Sequence, residues 1–399
     1  VRLYLAMFMM SCAVLVIAPM TPVIQQEHRF PVASLGIIFG VSLLTGVVAE
    51  LFLGPQADRG HERALLIGSV VLAGISSVGS GLADSVLTLT LWRAVAGVSY
   101  GMFVPAASAL VIRLRVTGVG ERIARLQVAE FAGFAAGPFL GALLLAQFGT
   151  QNGLIVAGIA TLMLVPVVLG VDIPHERQVA RVSDSGAVHV DDGDPSRTAF
   201  DLLRRREVWV ALLLSVAVTA PVGTYSALWP KFLADRGAGP FVVAVSLAIF
   251  TLPFMILAPI AGRLIDRIGP LRGSVIGIWI VVVAVVSYGL LGSITAIILV
   301  SLIESVGQAL AGPGSAAAMA RASGARRAGA GQGLARGVGF LGAGLTAIAA
   351  GPVYQYWGGA ALFACTAAIM VVLVILAQLI GRNRVAVLNG TELGVDTTT

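Results

Sequence analysis

Apolar stretches of about 20 residues recur along this chain with only short polar interruptions, and about 20 residues is the helical length that crosses roughly 30 Å of hydrocarbon. No water is available inside a bilayer to satisfy backbone N–H and C=O groups, so a segment that crosses it must hydrogen-bond to itself. The stretches read as spans at 3–24, 33–53, 64–83, 86–112, 124–148, 152–172, 208–230, 240–261, 273–292, 294–319, 333–357 and 359–381. The expected fold class is therefore an all-α membrane protein of about twelve transmembrane helices, with the lipid bilayer as solvent.

Composition excludes the main competitors. Hydrophobic residues make up 57% of the 399 positions and charged residues only 12%, about half the charged share of soluble domains. The net charge of +6 comes mainly from arginines set in short clusters between apolar runs rather than along one face, so nucleic acid is not an expected partner. Cys12 and Cys365 lie inside apolar runs and form no metal or disulfide spacing. The first apolar run lacks the charged leader of a signal peptide and reads as a retained helix.

The longest polar interruption, 173–207, holds an acidic patch, Asp191-Asp192-Gly193-Asp194, and the cluster Arg204-Arg205-Arg206. The patch lacks the ligand spacing and terminal Glu of a calcium loop, so the segment reads as a linker. It separates an expected bundle at 1–172 from a second at 208–382, with a tail at 383–399. With the N-terminus inside, about 22 of the 26 lysines and arginines fall toward the cytoplasmic side, whereas Arg29, Lys231 and Arg236 fall outside and Arg93 lies within a span. Short loops rich in such residues stay cytoplasmic, which places both termini and the linker on the cytoplasmic side of the cell's inner membrane.

The two halves repeat. Gly54-Pro55-Gln56-Ala57-Asp58-Arg59 after the second span returns as Gly262-Arg263-Leu264-Ile265-Asp266-Arg267 after the eighth, an offset of 208. Phe148-Gly149 closing the fifth span matches Trp357-Gly358 closing the eleventh at 209, and the fourth and tenth spans align at about 211, superposing Arg93 on Glu304. Three similar offsets spread over the chain point to a tandem duplication of six helices, the architecture that builds a substrate site between two halves.

Three motifs carry chemistry. The loop reads Gly54-x-x-Ala57-Asp58-Arg59-Gly60-His61-Glu62-Arg63; Gly54 permits a tight turn, and Asp58 can cap a helix or accept from Arg63 in one conformation and release it in another. Arg93 lies deep in the fourth span, where a cation costs roughly 2.5–3.5 kcal/mol and so should face a cavity or a partner. In the fifth span Gly133, Gly137 and Gly141 fall four apart on one face, and Pro138 removes a backbone hydrogen bond. A proton-driven exchanger also needs a carboxyl group within the membrane. Glu130 and Glu304 sit about 10–15 Å along their helices from the ends, with Glu304 the preferred carrier and Arg93 its modulator.

From Leu3 to Arg382 the chain resembles the major facilitator superfamily. The loop carries that family's most specific motif, although His61 and Glu62 stand where the usual pattern has Gly and then Arg or Lys. The resemblance implies two pseudo-symmetric six-helix bundles, with Gly54, Asp58, Arg59, Arg63, Gly262, Asp266 and Arg267 as a conformational latch. It also implies a proton-coupling role for Arg93 and an antiporter-type motif at Gly133, Gly137, Pro138 and Gly141. The implied activity is proton-coupled export of small amphipathic molecules or drugs by alternating access, in a monomer with no cofactor. Transport of a metabolite such as a sugar or amino acid is the second reading, and a non-transporting receptor or assembly partner the alternative from another class. No enzyme motif fits: Gly342-Ala343-Gly344 sits in an apolar helical span with no preceding strand. The arginine bias makes a first testable statement. A cysteine placed at Ser185 reacts with an impermeant thiol reagent only from the cytoplasmic side and one at Ala238 only from outside; the reverse pattern overturns the orientation.

Overall fold

The computed structural model describes residues 2–114, 119–171, 199–324 and 327–381. Most of the expected linker, including its acidic patch and the Ser185 reporter, and the whole expected tail lie outside the described residues. Those described are almost wholly helical, with no strand among them. In order they form α1 (Arg2–Leu15), α2 (Thr21–Glu27), α3 (Val32–Gln56), α4 (Glu62–Gly81), α5 (Val86–Leu114), α6 (Val119–Leu162) and α7 (Val165–Leu169). Beyond residue 205 come α8 (Arg206–Ala234), α9 (Pro240–Ile268), α10 (Pro270–Leu290), α11 (Ile294–Ser323) and α12 (Ala328–Gly381).

Ten helical stretches among the described residues are long and apolar enough to cross a membrane. Two of them, of 49 and 53 residues, would reach about 70–80 Å if straight, more than twice the hydrocarbon thickness. Each is interrupted by a glycine with non-helical backbone, Gly149 (φ 74°, ψ −173°) in α6 and Gly358 (φ 77°, ψ −176°) in α12. Counted as two legs each, they bring the spans to twelve. That combination of positive φ with extended ψ is open essentially only to glycine, and it joins the legs without a loop.

Large apolar side chains on the outside fit a lipid solvent. Phe52, Leu87, Val283 and Leu290 are all more than 60% exposed, a cost in water and none in hydrocarbon. The first span departs from a single helix. Pro19 and Pro22, each lacking an N–H, divide it into α1, a 3₁₀ turn at Ala18–Met20, and α2.

The helices gather into two compact units. The first takes residues 1–34, 41–192 and 238–248; the second takes 35–40, 193–237 and 249–399. In the first, α1 packs along α6, and α4 lies against both α5 and α6; in the second, α8 runs along α12, and α10 along α11.

Left-handed backbone repeats with the sequence. The positive-φ residues Arg29, Gly60 and Gly149 recur as Gly237, Gly269 and Gly358, offsets of 208, 209 and 209. Arg29 (φ 52°) is the one non-glycine with positive φ among the described residues, and its counterpart is a glycine. Ala238, the external labelling position, is buried at 9% exposure, whereas its neighbour Gly239 is exposed and is the better reporter. From these dihedrals, Gly149→Ala and Gly358→Ala each lose about 1–3 kcal/mol through forced backbone strain. Arg29→Gly, which relieves strain, is neutral or stabilising. Thermal unfolding of the purified variants in detergent checks both, and equal losses for all three would refute the strain argument.

Candidate functional site

The site is built first from backbone contact. In α6 a Cβ added at Gly133, Gly137 or Gly141 would strike the carbonyl oxygens of Phe8, Cys12 and Val16 respectively, at 2.6 Å for Cys12. The fourfold spacing on α6 therefore meets the same spacing on α1 and the segment that follows it. Hydrogen atoms at these three positions let the two backbones touch, which is the main source of helix association in lipid. Pro138 lies inside α6, and helical backbone continues past it to Gly149. The second unit repeats the arrangement: Thr219 of α8 donates to the Gly339 carbonyl of α12 at 2.7 Å, and a Cβ at Gly342 would fall 2.7 Å from Val216. Gly342 is the counterpart of Gly133 at offset 209.

The loop motif is arranged differently from the expectation. Gly54 lies within α3, not in a turn, and a Cβ there would meet Pro105 at an ordinary 3.6 Å. The reversal falls instead at Gly60 (φ 92°), inside the π turn over Ala57–His61, because only that position needs left-handed backbone. Arg63 donates to the Leu169 carbonyl at the end of α7, 2.7 Å away. A cation at a helix C-terminus satisfies an orphan carbonyl and the helix dipole together. Arg2 reaches the next carbonyl, Gly170, so two arginines hold the end of the sixth span. Arg59 is exposed, and the side chain of Asp58 lies outside the described residues. In the second copy Asp266 and Arg267 are exposed near the end of α9, and a Cβ at Gly262 would meet open space. Glu62, in the sequence only a departure from a basic pattern, is buried at 1% exposure in the first turn of α4.

Arg93 of α5 is buried and lines a cavity of about 20 Å³ in the first unit, room for one water. Ser76, Ser77, Ser80 and Ser99 line it too. Their hydroxyls donate to the carbonyls of Ala73, Leu154, Ser76 and Ser69. The protons are thus committed to backbone, and the oxygens keep lone pairs for a donor. Also in the first unit, Tyr100 of α5 donates to Glu130 of α6 at 2.5 Å.

Glu304 of α11 is the most enclosed acid of the second unit, at 1% exposure. Tyr225 of α8 donates to one carboxylate oxygen at 2.7 Å and Tyr288 of α10 to the other at 2.6 Å. Gln308, one turn along α11, bonds to the same group. The tyrosines belong to an aromatic cluster. Trp229 stands edge-on to Tyr288 at 4.9 Å and to Tyr225 at 5.3 Å, and Phe363 of α12 lies 5.6 Å from Tyr288. No cation is among the described partners of Glu304. Arg93, the modulator expected from the sequence, lines the serine cavity of the first unit, and the Glu304 carboxylate is held by neutral hydroxyls. Tyr288 had no sequence signal, because no spacing rule links residues on different helices.

The steric contrast along the glycines makes a prediction. Gly137→Val forces α1 and α6 apart and lowers stability by about 1–3 kcal/mol, whereas Gly54→Ala and Gly262→Ala stay within about 0.5 kcal/mol of wild type. Melting temperatures in detergent test this, and equal losses at Gly137 and Gly54 would sink it.

Comparison with known proteins agrees with this architecture. The family model for the Major Facilitator Superfamily matches residues 3–234 and again residues 212–391. The 4-hydroxybenzoate transporter PcaK of Pseudomonas putida is 26% identical over 331 residues, spanning 74% of this chain and 71% of that protein. The multidrug resistance protein MdtG of Citrobacter koseri is 27% identical over 237 residues, spanning 59% of this chain and 57% of that one. The solved structure of the nucleoside transporter NupG superposes with a TM-score of 0.77 at 14% identity, covering 95% of this chain and 98% of that one, a likeness of fold. With spans, repeat and family match in accord, the chain is a multi-pass membrane protein that belongs to the Major Facilitator Superfamily of transporters.

Proposed function

We propose that this transporter exports small amphipathic molecules from the cytoplasm in exchange for protons, by alternating access, with Glu304 as the proton-carrying carboxyl. The observation that carries this reading is the Glu304 cluster itself: an acid inside a membrane helix whose described partners are neutral. Such a group can gain or lose a proton without breaking an ion pair. Intramembrane acids are costly and mark ion or proton pathways. The likeness to MdtG supports export of drug-like compounds. Likeness to PcaK, which extends over more of the chain, favours a second reading, movement of one defined metabolite. Deleting the gene separates them: sensitivity to several unrelated compounds marks the first, and growth loss on a single nutrient the second.

In the same proposal the six-helix bundles are 1–172 and 208–382, joined by the 173–207 linker, with both termini on the cytoplasmic face of the inner membrane. Gly54, Asp58, Arg59 and Arg63, with Gly262, Asp266 and Arg267, act as a latch on that face. Arg63 supports the idea through its bond to the Leu169 carbonyl, a contact that can be exchanged as the helix ends move. The glycine face of Gly133, Gly137 and Gly141 with Pro138 keeps α6 against α1 during the cycle, Arg93 modulates the proton-carrying acid, and Glu130 is the alternative carrier.

The test is Glu304→Gln in proteoliposomes. Accumulation driven by an imposed pH gradient falls to background, while downhill counterflow of the same compound continues and shows that the protein is folded. Proton-coupled accumulation at the wild-type stoichiometry in this variant would end the assignment.

A further inference from the structure

The three donors to Glu304 differ in freedom. Tyr288 is fully buried at 0% exposure, wedged between Trp229 and Phe363. Gln308 is buried and rides on the same helix as the acid, one turn away. Tyr225 alone is half-buried, with its ring edge-on to Trp229 at 5.3 Å and to Phe250 at 6.4 Å. Moving Tyr288 would open a hole in a dry aromatic core, whereas Tyr225 can rotate away from the carboxylate at far less cost.

We propose that the Tyr225 hydroxyl is the gate through which a proton reaches Glu304, a positioning role that rests on the reading of Glu304 as the proton carrier. With Tyr225 in place, the ionised carboxylate accepts hydrogen bonds on both oxygens and is sealed from the space on the α8 side. When Tyr225 swings out, one oxygen loses its donor and is uncovered. A water-borne proton then bonds to that oxygen, and the neutral carboxyl tolerates the loss. Return of the hydroxyl favours release of the proton to water and restores the two-tyrosine clamp. The titratable groups facing Glu304 are Tyr225 from α8 and Tyr288 from α10; α12 contributes Phe363, and no charged side chain is among the described partners.

Dicyclohexylcarbodiimide tests the gate without knowledge of the substrate. It reacts with protonated carboxyls that it can reach: the acid proton passes to a reagent nitrogen and the carboxyl oxygen adds to the central carbon. The full-length protein in liposomes is labelled at neutral pH, and adduct on the Glu304 peptide is followed by mass spectrometry, with Glu304→Gln as the blank. Tyr225→Phe labels about tenfold faster than wild type, the scale set by one lost hydrogen bond to a charged group. Tyr288→Phe, with Tyr225 still in place, labels more slowly than Tyr225→Phe. Labelling of Tyr225→Phe at the wild-type rate overturns the gate, as does faster labelling of Tyr288→Phe or no adduct at Glu304 in any protein. Because the readout is the carboxyl and not flux, a gate that fails here leaves the Glu304→Gln transport result to judge the proton-carrier reading separately.

Discussion

Helices in a bilayer gain little from hiding apolar surface, since lipid is as apolar as their side chains; they associate where their backbones can touch. Three hydrogens in place of Cβ atoms, at Gly133, Gly137 and Gly141, bring α6 onto the carbonyls of α1 and its extension. Gly97 and Gly101 do the same for α5 against the carbonyls of Ser42 and Gly46 in α3, and Gly277 for α10 against Gly307 in α11. These close-approach glycines are therefore a packing system, and the positions of the polar groups follow from which faces it leaves turned inward.

Those inward faces carry two kinds of polar solution. In the first unit a guanidinium lies beside a water-sized cavity and serine oxygens whose protons are already spent on backbone carbonyls. In the second unit a carboxyl is wrapped by phenol hydroxyls inside an aromatic cluster. Alignment of the fourth and tenth spans in sequence puts Arg93 on Glu304, so equivalent positions of the repeat carry opposite charge. The neutral hydrogen-bonding partners described for Glu304 leave its charge responsive to whatever next approaches it, which a salt bridge would not.

What could be read in the sequence was what depends on one helix at a time. Apolar rhythm gave the spans, and the recurrence of Asp58-Arg59 as Asp266-Arg267 the duplication. Gly133, Gly137 and Gly141 were legible as a face because fourfold spacing projects onto one side of a helix. What was not legible depends on several helices or on backbone dihedrals. Tyr225, Tyr288 and Glu304 come from α8, α10 and α11, and nothing in their separation announces that they meet. The turn was assigned to Gly54 because it opens the motif, whereas the left-handed position is Gly60, and only dihedral angles tell two glycines six residues apart from each other. Glu62 looked like a lost basic residue and is a buried acid.

Gly149 and Gly358 bear on how the protein is made. At each, two membrane-crossing legs are joined through one residue of non-helical backbone, so no long loop separates the first leg from the second as they emerge from the ribosome. Each pair must therefore enter the bilayer together as a helical hairpin, and the biosynthetic unit there is two spans rather than one.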